Sequence, residues 1–103
     1  MENGSWTFLT NHAHVLLCIS ADHSMRLREL AERVGITERA AQRIVRDLCE
    51  SGYLTRTRVG RRNQYAVNSQ LPLRHPVEAA SHVGALLALL EPTGAVHRTG
   101  GYR

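Results

Sequence analysis

Between Leu27 and Ser51 two helical repeats are separated by only three residues, and this spacing constrains the fold more than any other feature of the chain. The first repeat puts Leu27, Leu30, Ala31 and Val34 on one stripe and is stopped by Gly35. The turn Gly35-Ile36-Thr37 leads into a second run, Glu38–Ser51, stopped in turn by Gly52. A joint this short folds two helices against one another across a shared core. Two β-prone runs follow, Tyr53–Val59 and Asn63–Val67, flanking a tight Gly60-Arg61-Arg62 tip.

The flanks extend this unit on both sides. Thr10 is placed to cap a helix over Asn11–Ala21, closed by Asp22-His23-Ser24. Its centre, Val15-Leu16-Leu17-Cys18-Ile19, is apolar all round, so it should be buried on most sides. Met25-Arg26 is expected to add a short edge strand. After Val67, Asn68–Arg74 reads as a connector, and Pro76 suits the first turn of a last helix running to Leu90. Pro92 and Gly94 stop that helix. Residues 91–103 are expected to be a disordered tail, and Met1–Ser5 a frayed end. The expected fold is mainly α with a small β-hairpin, in the order helix-helix-helix-strand-strand-helix, as one domain over residues 6–90.

The 103 residues suffice for one core but not two, and 43% apolar content argues against disorder. No apolar run reaches the roughly 18 residues that span a bilayer. The N-terminus lacks the basic-apolar-small order of a signal peptide, and Cys18 and Cys49 do not suggest a disulfide framework. A soluble cytoplasmic protein without membrane partners is expected. The net charge of +4 favours an acidic partner, nucleic acid before membrane. That charge is local. Arg26 to Arg62 holds ten arginines against five acids, whereas the rest holds three against four. All thirteen basic residues are arginine, which coding bias in a GC-rich genome explains better than function does.

On the Glu38–Ser51 helix, Arg39, Arg43 and Arg46 fall within an arc of about 60°, opposite Ala41, Ile44, Val45 and Leu48. One face suits a core and the other an anion. Ala40 and Gln42 flank the arc near the N-terminal half, and Thr37 is a good N-cap. Arginine can bridge guanine O6 and N7, and glutamine can pair with adenine N6 and N7. Asp47 lies to one side of the arc, where it is expected to orient an arginine. In the hairpin, Arg56 and Arg58 alternate onto one face, and Arg61 and Arg62 sit at the tip. Tyr65 and Val67 should pack inward. Such a hairpin suits phosphates and a narrow minor groove, whose negative potential attracts arginine.

The run Leu27–Leu48, with its exit Glu50-Ser51-Gly52-Tyr53-Leu54-Thr55-Arg56, resembles the winged helix-turn-helix of MarR and ArsR-type bacterial transcription regulators, and the whole chain resembles small members found in actinobacteria. The resemblance implies sequence-specific binding of double-stranded DNA as a homodimer, with helix 38–51 in the major groove and the wing, residues 53–67, on minor groove or backbone. DNA-binding positions are then Thr37, Arg39, Ala40, Gln42, Arg43, Arg46, Arg56, Arg58, Arg61 and Arg62. The chain departs from the pattern in three places, the first being that it has little room for the longer terminal helices that form the dimer interface and ligand pocket of MarR proteins. Val59-Gly60, not an acid, precedes the tip arginines, which leaves open which of them enters the minor groove. Leu27–Val34 also lacks the paired cysteines of many ArsR metal sites.

The last helix is apolar nearly all round, which a small domain cannot bury alone. A homodimer contact through Val83, Leu86, Leu87 and Leu90 is expected, with Ala80, Gly84 and Ala88 permitting close approach. Glu78 and His82, with His75 upstream, would share a helix face, but they do not complete a ligand set, so no metal, cofactor or effector is assigned. No nucleophile-base pair, phosphate loop or carboxylate pair points to an enzyme. The remaining alternatives are a winged-helix module that binds protein or RNA, or a metal- or redox-responsive variant of the regulator.

Overall fold

The computed structural model describes residues 6–90, so the expectations for Met1–Ser5 and for residues 91–103 lie outside the described residues. Helix α1, Asn11–Ala21, starts where the Thr10 hydroxyl accepts the Ala13 N–H at 3.3 Å. Val15, Leu16 and Ile19 are buried, while Leu17 and Cys18 are half-buried. α1 is the element around which the others gather, because it packs on the second and third helices, on the return strand of the hairpin and on the last helix.

Helix α2, Leu27–Val34, begins with the Glu29 carboxylate accepting the Arg26 N–H at 3.1 Å. It ends at Gly35, whose φ of 85° lets both its own N–H and that of Ile36 reach the Ala31 carbonyl, at 2.8 and 3.0 Å. This left-handed step turns the chain from one helix to the next within three residues. Helix α3, Glu38–Glu50, is capped by Thr37, whose hydroxyl accepts the Ala40 N–H at 3.0 Å. Leu30 and Ala31 of α2 join Ala41, Ile44, Val45 and Leu48 of α3 in the core against α1.

Strands β1, Leu54–Val59, and β2, Arg62–Val67, pair antiparallel with Leu54 opposite Val67 and Val59 opposite Arg62. The tip is therefore the two residues Gly60 and Arg61, one shorter than the sequence suggested. Met25-Arg26 forms no strand. Met25 buries its side chain, and the segment before it is tied to β2 by Tyr65 N–H donating to the His23 carbonyl at 2.9 Å.

The largest departure is at the C-terminal side. Helix α4 covers only Val83–Leu90, not Pro76–Leu90. The N–H of Val83 donates to Leu71 O at 2.8 Å and that of Gly84 to Ser69 O at 3.0 Å. Those groups would otherwise bond Ala79 and Ala80 one turn back, so the connector intercepts the helix ladder. Residues 75–81 form turns instead, with Glu78 N–H on His75 O at 2.8 Å. Val83 and Leu87, expected at a subunit contact, are core residues of this chain, and Leu89 and Leu90 stay exposed. Ala80 lies outside the helix, and Gly84 spends its missing side chain on Ser69, so the small-residue stripe does not exist as a helix face. Among the described residues no helix is long and apolar enough to cross a membrane.

Candidate nucleic-acid interface

Burial orients α3. With Ala41, Ile44, Val45 and Leu48 turned into the core, Arg39, Gln42, Arg43 and Arg46 stand in solvent on the opposite side, and Ala40 is half-buried. The Thr37 hydroxyl is committed to its cap, which leaves its own O–H free as a donor at the start of the helix. Among the described residues no arginine nitrogen comes within 4.0 Å of a carboxylate. The basic face is therefore not internally neutralised.

The wing register relates the hairpin arginines to the core. Arg56 is the partner of Tyr65, and Arg58 of Asn63, so these arginines share the face on which Leu54 and Tyr65 are buried. Beyond the base of the hairpin that face leaves the core, and both arginines are exposed. The expectation that Arg56 and Arg58 point together therefore agrees with the pairing, but their face is the one that turns inward nearer the base.

At the tip the two arginines differ. Arg62 Nη2 donates to the Ser24 carbonyl at 2.8 Å and ties the wing to the α1–α2 connection. Arg61 sits in the turn and is exposed, with no partner among the described residues. Together with Arg26, they rim a shallow notch of about 180 Å³ between the wing and the start of α2. Ser24 carries no sequence signal for this role, because its contribution is a backbone oxygen.

Asp47 does not orient an arginine. Its Oδ2 lies 2.9 Å from Nε2 of His12 on α1, and this bond, with the nearby charges of His12, Arg46 and Arg43, holds the carboxyl below its ordinary pKa. His12 is the residue that the sequence reading missed. It is 35 positions from Asp47, so only the packing of α1 on α3 brings the two together.

The metal reading loses its geometry among the described residues. Glu78 and His82 precede α4 and share no helix face, and His75 Nδ1 accepts the Val77 N–H at 3.1 Å. Among the described residues no group of three His, Cys, Asp or Glu side chains converges. Burial raises the pKa of Cys18, an effect that Arg33 only partly offsets, so the reactive thiolate is disfavoured.

An apolar recess of about 270 Å³ lies on another side of the molecule, between the lead-in residues Phe8 and Leu9, α1, the end of α3 and α4. Leu16, Leu48, Val83 and Leu87 form its floor. Phe8, at 92% exposure, and Leu89, at 78%, extend the apolar surface around it.

Residues 10–55 match the family model for winged helix-turn-helix DNA-binding domains. No curated protein matches the chain. Among solved structures, the zinc-dependent MarR family transcriptional regulator AdcR in its Zn(II)-bound state aligns at a TM-score of 0.46 with 22% identity. The alignment covers 66% of this chain and 49% of AdcR, so the chain spans about half the length of that protein. Three helices, a three-residue joint and a wing thus give this chain a winged helix-turn-helix fold, to whose DNA-binding family model residues 10–55 are similar.

Proposed function

We propose that the chain is a cytoplasmic, sequence-specific transcription regulator of the MarR type that binds double-stranded DNA as a homodimer. The observation that carries this reading is the α3 face bearing Arg39, Gln42, Arg43 and Arg46, with no carboxylate of the described residues within 4.0 Å of its arginines. An α-helix fits the major groove, where arginine and glutamine distinguish base pairs by paired hydrogen bonds. Thr37 and Ala40, at the start of α3, lie nearest the backbone that the helix crosses. Arg56, Arg58 and Arg61 on the wing, with Arg62 beside its tip, meet the adjacent phosphates or the minor groove.

The homodimer is supported by the apolar surface that one copy leaves open: Leu86, Leu89 and Leu90 on α4, with Phe8 beside the recess. A two-fold pair would set two α3 helices about one DNA turn apart and read a pseudo-palindrome.

The test is selection of duplexes from a random library by the purified protein, followed by binding of the selected and scrambled sequences across a salt series. The reading expects a shared motif, a preference of at least about 10³ for it, and a steep salt slope. Equal affinity for both duplexes would replace it with an RNA- or protein-binding module.

A further inference from the structure

Asp47 sits one helical turn after Arg43 and next to Arg46, at the edge of the basic face. At four-residue spacing a carboxylate and a guanidinium on a helix ordinarily meet. An ionised carboxylate so placed would cancel an arginine that the proposed interface needs. The low pKa of Asp47 means that its charge is fully present at neutral pH.

The structure resolves the conflict from outside the helix. His12, in the first turn of α1, takes Asp47 Oδ2 at 2.9 Å, and among the described residues no guanidinium nitrogen comes within 4.0 Å of that carboxylate. Because an ionised carboxylate only accepts, Nε2 carries the hydrogen of this bond. His12 and Asp47 keep 48% and 45% side-chain exposure, and an ion pair so wet contributes little to folding. Its consequence is where the carboxylate points.

We infer that His12 is a positioning residue for DNA binding: it holds Asp47 toward α1 and so keeps Arg43 and Arg46 free for phosphates and base edges. This rests on the reading of α3 as the helix that meets DNA. In the absence of His12, Asp47 turns back onto Arg43, and DNA has to displace that internal ion pair.

The experiment is a double-mutant cycle on a duplex selected from the random library, measured across a salt series. His12→Ala should weaken binding about fivefold to tenfold and lower the salt slope by about one. His12→Gln, whose amide still donates, should stay within about twofold of the unsubstituted protein. In an Asp47→Asn background, where no charge competes, His12→Ala should change affinity by less than about twofold. Equal losses with and without Asp47→Asn would overturn the inference, because His12 would then act through the fold or touch DNA itself. No loss in either background would overturn it too. If His12→Ala does not fold, His12→Asn, whose amide is too short to reach the carboxylate, takes its place in the cycle. Arg43→Ala separates the two claims: if it leaves binding unchanged, the reading of α3 fails, whereas a loss there combined with additive His12 and Asp47 effects condemns only the positioning role.

Discussion

Gly84 and Ser69 are packed back to back: a Cβ on Gly84 would lie 2.7 Å from Ser69 Cβ and 2.9 Å from its carbonyl oxygen. This closeness fixes where α4 begins, because the same approach lets Gly84 N–H bond Ser69 O. Gly84→Ala should therefore destabilise the protein. Alanine gains about 1 kcal/mol in helix propensity, but overpacking against backbone costs about 1–3 kcal/mol, and a carbonyl cannot rotate away as a side chain does. The expected result is a fall in Tm of several degrees on thermal unfolding. A higher Tm would mean that the α4–connector contact yields easily.

Thr37 should matter to folding before it matters to binding. Its hydroxyl satisfies the Ala40 N–H at the start of α3, so Thr37→Ala should cost about 0.5–2 kcal/mol in denaturant unfolding. Thr37→Ser keeps the acceptor and should cost much less. Equal losses for the two variants would show that the methyl group, not the cap, carries the effect.

Arg43 and the wing tip should fail differently. Arg43→Ala is expected to cost about 1–3 kcal/mol on the selected duplex and to relax preference at one base pair, with a smaller effect on scrambled DNA. Arg61→Ala should weaken both duplexes alike and reduce the salt slope by about one, with no change in Tm. Arg62→Ala should also lower Tm, because it removes the bond to Ser24 O that anchors the wing. A salt series on three variants, with melting curves, checks all of this.

Leucines on α4 should divide by the side they face. Leu86→Glu/Leu90→Glu should leave the fold intact and give monomers by sedimentation, with weaker DNA binding. Leu87→Glu buries a charge in the core and should unfold the chain. A monomeric unsubstituted protein at micromolar concentration would remove the dimer.

Asp47 should show its partner in acid. Its folded pKa is depressed, so its contribution is fully present above the unfolded value near 4 and is lost as pH falls through the lower folded value. The stability difference between the unsubstituted protein and Asp47→Asn should be flat from pH 7 to about 5 and shrink below about 4. Because the group is half-exposed, the effect should be small. An NMR titration of the Asp47 carboxyl that midpoints above 4 would contradict the His12 bond.

The sequence by itself determined every element whose instructions are local. Thr10 and Thr37 mark helix starts because a hydroxyl at the N-cap answers a backbone N–H three residues on, and Gly35 marks a helix end because it takes a left-handed step. The amphipathic stripe of α3 told which side would be buried, and with that the arginine face was already placed. Tertiary structure decided what depends on partners distant in sequence. The apolar run before Leu90 has no periodic stripe, so nothing in it shows that Ser69 and Leu71 claim the N–H groups that would have continued the helix back to Pro76. Arg61 and Arg62 look alike as neighbours, and only the position of the Ser24 carbonyl separates them. Asp47 has arginines within reach on its own helix, yet its partner is His12, because packing α1 across α3 sets that donor closer than any local alternative.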